Sequence, residues 1–223
     1  MIQRPAWQVD RLENQPWGAN TYVFTAPGSL DRLVIDPGEE AVTQLASRPE
    51  AAGGRITWAL LTHEHYDHIS GLPALRKHWN CQVIASRECS VAITNPARNF
   101  SRYLIQRDVA CAAADRSCED LDWKLDWGGT PIRFLPTPGH SPGSICIAVA
   151  GLLFTGDCLL RNLKRVTGLP GGDKQALAKS LTLLFDSFDP ETQVYPGHGE
   201  PFRLKDAKRP AFSPAPRGAG PAG

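Results

Sequence analysis

Histidine and aspartate recur in this chain at spacings suited to holding two metal ions. Residues 62–68 read Thr-His-Glu-His-Tyr-Asp-His, followed later by Thr137-Pro138-Gly139-His140, Gly156-Asp157 and Pro196-Gly197-His198-Gly199. Five of the six histidines fall into this pattern, so chance surface placement explains it poorly. Neutral imidazoles suit zinc or iron, and a carboxylate such as Asp157 can bridge two cations and hold them roughly 3.5–4 Å apart. Along an extended loop His63 and His65 turn toward one point, which leaves Asp67 and His68 to reach a second. His63, His65, Asp67, His68, His140, Asp157 and His198 are together enough ligands for two divalent ions per chain, with zinc expected and iron or manganese as alternatives. Two dications bring the pKa of a shared water near neutrality and polarise a carbonyl, so the implied chemistry is hydrolysis without a protein nucleophile. Asp67, both ligand and proton acceptor, is the candidate catalytic base.

Each ligand stands where an apolar run meets a turn, and loops at the ends of rigid strands commonly carry function. Strands are expected at 21–24, 33–35, 57–61, 82–85, 130–135, 145–149, 152–154 and 193–195. A helix is expected from Gly71 to Trp79 with Ser70 as its cap. It carries His78, which has no ligand near it in sequence and reads as a solvated side chain. Residues 86–120 read as helical or irregular. Leu177, Leu181, Leu184, Phe185 and Phe188 recur at helical spacing after Asp173. Strands followed by a helix, twice over, imply an α/β (α+β) fold of two sheets flanked by helices.

With these motifs in place, the chain resembles the metallo-β-lactamase superfamily, whose His-x-His-x-Asp-His signature matches His63, His65, Asp67 and His68. Within it, the chain is similar to the short-form glyoxalase II-like group, hydroxyacylglutathione hydrolase-like proteins without a long helical C-terminal domain. The shared segments are 20–23, 34–38, Asn95-Pro96-Ala97-Arg98-Asn99-Phe100-Ser101, 137–144, 153–157, 169–173 and 194–199. The resemblance implies a four-layer sandwich of two mixed sheets between helices. It also implies that His140 completes the first metal site, His198 completes the second, and Asp157 bridges. Hydroxyacyl-glutathione is the substrate it suggests. The group's Gly-Arg-Thr-Asp is replaced here by Arg165-Val166-Thr167-Gly168, so its arginine and aspartate are missing and Lys164 and Arg165 lie just upstream. Arg161, Lys164 and Arg165 are candidates to meet an acidic thiol carrier, and Tyr66, between two ligands, is a candidate to line the substrate pocket. Asp36, closing an Ile-Asp-Pro-Gly turn, is a candidate either for the turn itself or for supporting a ligand histidine.

Composition narrows the function further. With 223 residues and 42% hydrophobic content the chain can bury one substantial core. A hydrolase domain over residues 1–203 is expected, with residues 204–223 as a flexible Pro/Ala/Gly-rich tail. Net charge is +1, which provides no global field for nucleic acid or an anionic membrane. Neither a secretory leader nor an apolar run of spanning length is evident, so a cytoplasmic protein acting on a small thioester or ester is expected. The six cysteines then read as reduced and buried, Cys158 included. A lactonase is the nearest competing hydrolase, and a mononuclear-iron persulfide dioxygenase the competing class. The full ligand set counts against the latter. His65 stands where a flavodiiron protein would carry glutamate, and Asp157 where β-lactamases commonly carry cysteine or serine.

Overall fold

A computed structural model describes residues 7–28, 30–47, 55–161 and 167–209. The first half builds one sheet from β1 (Gln8–Asn14), β2 (Ala19–Thr25), β3 (Asp31–Ile35), β4 (Arg55–Leu60), β5 (Gln82–Ala85) and β6 (Arg116–Ser117), adjacent in that order. β1, β2 and β3 pair antiparallel, and β3 to β6 pair parallel. The second half builds another sheet from β7 (Lys124–Trp127), β8 (Thr130–Pro136), β9 (Ile145–Val149), β10 (Leu152–Gly156), β11 (Gln193–Pro196) and β12 (Phe202–Arg203), again in sequence order across the sheet. Only β10 and β11 pair parallel there.

Alternation along the strands assembles the layers, because successive side chains leave opposite faces. Tyr22, Phe24, Leu33, Ile35 and Leu60 of the first sheet meet Ile132, Phe134, Ile145, Ile147 and Phe154 of the second in a shared core. Val23, Val34 and Ala59 point the other way. They pack against Val42 and Leu45 of α1 (Glu39–Ala46) and Leu72 and Leu75 of α3 (Leu72–Trp79), which follows the single turn α2 (Tyr66–Ile69). Leu135, Cys146, Leu153 and Val194 form the outer face of the second sheet, covered by Leu177, Leu181 and Leu184 of α6 (Lys174–Ser187). Two short helices, α4 (Arg87–Ala92) and α5 (Ser101–Leu104), fill the connection between β5 and β6. The result is helix, sheet, sheet, helix, as expected.

Three local expectations are corrected. Ser70 does not cap α3, which starts after Gly71 without a side-chain cap. Its hydroxyl instead accepts the Glu39 N–H of α1 at 2.9 Å, and Asn14 Oδ1 accepts the Ala41 N–H at 2.9 Å, so α1 is capped from outside its own sequence. The packed chain also runs past residue 203. Leu204 begins a 3-10 turn, Leu204–Asp206, and both Leu204 and Ala207 are buried in the cluster under α6. Third, the first ligand loop is not extended throughout, because α2 begins at Tyr66. Among the described residues no helix is long and apolar enough to cross a membrane. All six cysteines are buried and free, and Cys158 packs among the apolar residues beneath α6.

Candidate metal centre

The candidate ligands come together at one edge of the sandwich. His63 and His65 follow β4, His140 lies in the turn between β8 and β9, Asp157 follows β10, and His198 follows β11. The two sheets are joined at this edge, where the Ile145 N–H donates to the Thr62 carbonyl at 2.8 Å and Ala19 bridges to His198. Ligand atoms of His63, His65 and His140 lie within 4.8 Å of one another, as do those of Asp67, His68 and His198. The one-turn helix α2 is what brings the neighbours Asp67 and His68 to the second group, in place of the expected extended loop. Asp157 stands between the groups: Oδ2 is 3.6 Å from His140 Nε2 and 3.5 Å from His198 Nε2, and Oδ1 is 3.6 Å from His68 Nε2. His78, by contrast, is exposed and lies against Trp79.

The hydrogen-bond network sets which imidazole nitrogens face the centre. The Thr62 hydroxyl donates to Asp36 Oδ2 at 2.6 Å, so its oxygen accepts from His63 Nδ1 at 3.0 Å. His63 Nε2 is left buried with no partner. Likewise His68 Nδ1 lies 3.2 Å from Asp36 Oδ2, turning Nε2 toward Asp67 and His198. Asp157 Oδ1 is a second buried atom without a hydrogen bond. Buried polar atoms nearly always have partners, so two unmatched acceptors aimed into one histidine cluster fit a cation. The spacing also fits. Ligands roughly 2.0–2.1 Å from a tetrahedral zinc stand about 3.3 Å apart, and His65 Nδ1 lies 2.9 Å from His140 Nε2, with His68 Nε2 3.2 Å from His198 Nε2.

Electrostatics agree with this division. Burial, with the surrounding imidazoles, holds His63 well below the usual histidine range and His65 at about 3, so both keep a lone pair for a metal. Burial opposes protonation of His68 too, but Asp67, Asp36 and Asp157 outweigh it and raise its pKa to about 10. A dication attracted by the same carboxylates competes with that proton. Burial also disfavours the Asp67 anion, yet His68 and His198 keep it well below the usual carboxylate range.

Supporting residues hold the ligand loops. Asp36 Oδ1 accepts the Thr62 N–H at 2.7 Å, so Asp36 serves the centre as well as its turn. Glu64 Oε2 accepts the Ser141 hydroxyl at 2.9 Å and thereby ties the first ligand loop to the His140 loop. Gly197 lets the His198 loop pass beneath Asp157, since a Cβ there would lie 2.2 Å from Asp157 Oδ1. Asn20 was missed in the sequence. Its N–H donates to the Gly197 carbonyl at 2.7 Å and its Nδ2 to the carbonyls of Pro196 at 3.0 Å and Gly199 at 2.8 Å, fixing the His198 loop. The available signal was an asparagine, a poor strand former, at the head of a strand. Tyr66 is buried, its ring nearly perpendicular to that of Trp17. Arg161 is exposed, with its guanidinium 3.9 Å from Asp206. Lys164 and Arg165 lie outside the described residues.

Residues 14–198, covering every ligand, match the family model of the metallo-beta-lactamase superfamily. The chain belongs to that superfamily. Among its relatives, a Bacillus subtilis (strain 168) protein named "Probable metallo-hydrolase YqgX" is 31% identical over 191 residues, 85% of this chain and 89% of that protein. A hydroxyacylglutathione hydrolase of Anaeromyxobacter dehalogenans (strain 2CP-C) is 29% identical over 192 residues, 84% of this chain but 64% of the relative. Among solved structures, the BLEG-1 B3 metallo-beta-lactamase superposes with a TM-score of 0.82 at 27% identity, covering 89% of this chain and 95% of that one. TTHA1623 in a di-iron-bound form gives 0.73 at 27% identity, covering 88% and 96%. This metallo-beta-lactamase superfamily member therefore carries the His and Asp groups expected of a divalent-metal protein of a mainly hydrolytic superfamily.

Proposed function

We propose that this protein is a hydrolase of acyl thioesters that works with two divalent metal ions. The observation that carries the metal part is the position of Asp157, within 3.6 Å of ligand nitrogens in both histidine groups. The hydroxyacylglutathione hydrolase relative and the residues shared with that group support the thioester part, and the di-iron TTHA1623 structure supports a two-metal centre. When bound, the two ions supply an activated water and polarise the carbonyl under attack.

The chain's own residues do the rest. His63, His65 and His140 would hold one ion and Asp67, His68 and His198 the other, with Asp157 available to both. Asp67 is about one-eighth exposed and ionised, with Oδ2 3.3 Å from His198 Nε2, so it is placed to orient the attacking water and accept its proton. Attack on the carbonyl carbon breaks the carbon–sulfur bond, and the proton held by Asp67 passes to the departing thiolate. The products are a carboxylic acid and a thiol. Lys164 and Arg165, with Arg161, would meet an acidic carrier such as glutathione.

Turnover of S-D-lactoylglutathione, an acyl-homoserine lactone and a β-lactam by zinc-loaded protein tests the reading. Thioester turnover exceeding the other two is expected. Preference for the lactone would make the protein a lactonase, and oxygen uptake on glutathione persulfide by a one-iron form would make it a dioxygenase.

A further inference from the structure

The segment 95–101 holds no metal ligand, yet it forms one wall of a cavity beside the centre. That cavity has a volume of about 340 Å³ and is lined by Ala97, Phe100, Tyr103, Pro142, Pro170 and Gly171, with Glu64 and Arg98 as its charged groups. Phe100 connects it to the metal site, because its ring packs perpendicular to the His65 imidazole with centroids 4.8 Å apart. Tyr103 continues the wall, its ring 6.0 Å from that of Phe100.

Phe100 is held there against its backbone preference. Its φ is +65°, a region that bulky residues seldom enter. Asn99 enforces the turn: Nδ2 donates to the carbonyls of Ile93 at 3.1 Å and Val109 at 2.8 Å, and Oδ1 accepts the Ser101 N–H at 2.9 Å. The Asn99 carbonyl accepts the Tyr66 N–H at 2.8 Å, which ties the segment to the first ligand loop. Strain maintained at the edge of a reactive centre points to a use for the side chain so placed.

Charge selects the occupant. Arg98 is ion-paired with Glu88, and Glu64 accepts the Ser141 hydroxyl, so both charged groups already have partners. A carboxylate or phosphate entering this cavity would lose hydration without gaining a matched cation. An apolar group gains by leaving water for two aromatic rings and two prolines. The volume lies at the small end of the range of about 300–1,000 Å³ for ligand pockets, which suits a short chain or a single ring.

The geometry points to this cavity as the acyl site of the substrate, built for a short apolar or aromatic acyl group. This rests on the thioesterase reading and adds the substrate class to it. A series of thioesters of one neutral thiol, N-acetylcysteamine, carrying acetyl, butyryl and phenylacetyl groups provides the test. Zinc-loaded wild-type protein is expected to favour phenylacetyl over acetyl by at least about tenfold in kcat/KM. Ala97→Trp, which fills the cavity, is expected to bring that ratio close to one, chiefly through KM, and Tyr103→Ala, at an exposed position, to lower it. A wild-type ratio near one, or a ratio unchanged in both variants, overturns the assignment. Should wild-type protein cleave none of the thioesters, the thioesterase reading fails, and binding of phenylacetamide followed by ligand-observed NMR still tests the cavity. Binding that disappears in Ala97→Trp upholds an apolar site, and no binding to wild-type protein overturns it.

Discussion

Replacing Asp36 by asparagine separates the support of a ligand from the fold around it. Asp36 is 2% exposed and has φ of +52°, a conformation asparagine also tolerates, so the backbone has no reason to move. The amide can keep its oxygen on the Thr62 N–H, where the carboxylate bond is 2.7 Å. Its NH2 then occupies the position of Oδ2, 3.2 Å from His68 Nδ1. Two donors cannot share that bond, so His68 Nδ1 must accept, and its remaining proton moves to Nε2, the atom facing Asp67 and His198. Metal affinity falls by roughly 10–100-fold when such a supporting partner is lost, about 1.4–2.7 kcal/mol. Competition titration with a zinc chelator should show the second equivalent weakened by that factor, with metal-free thermal stability lowered less than by Asp36→Ala. Asp36→Ala goes further and strands three buried donors at about 1–3 kcal/mol each, so it should destabilise the metal-free protein by at least about 3 kcal/mol. A zinc-binding curve for Asp36→Asn that overlays wild type would refute the tautomer argument.

Three further outcomes follow from the same geometry. Asp157→Ala should lose binding of two ions together while Cys158→Ala retains it, because Cys158 is packed among apolar residues; equal metal loss in both variants would make Cys158 a ligand. Asn20→Ala removes two side-chain bonds to the His198 loop, worth about 0.5–1.5 kcal/mol each, and should weaken the His198 site at least about fivefold more than the His140 site in isotope-resolved zinc exchange. Replacing Lys164 and Arg165 together by alanine should lower kcat/KM for thioesters of acidic carriers at least about tenfold, through loss of charge-assisted contacts. A neutral thioester measured in parallel should be far less affected, and equal rates for both substrates in variant and wild type would make the basic loop merely solvated.

The ligand-carrying strands β4 and β10 were legible because their apolar residues fill both faces of a sheet. The edge strand β1 was not, since Gln8–Asn14 is mostly polar and half-buried and becomes a strand only by pairing with β2. Helix α1 escaped notice for a related reason: the groups that cap it, Asn14 and Ser70, are 27 and 31 residues from the N–H groups they serve. Ligand identities could be read from spacing, because metal chemistry restricts them to a few residue types. Asp36 apart, their supports could not. Asn20 reaches carbonyls 176 and 179 residues away, and Glu64 reaches Ser141 across 77 residues. Such contacts exist only once the two sheets have met.

Elemental analysis of protein saturated with zinc and freed of excess metal addresses the two-ion centre most directly. Two zinc ions per chain are expected, falling to one or none in Asp157→Ala. A plateau at one zinc ion per wild-type chain would contradict the assignment of Asp157 as the carboxylate shared between two metal sites.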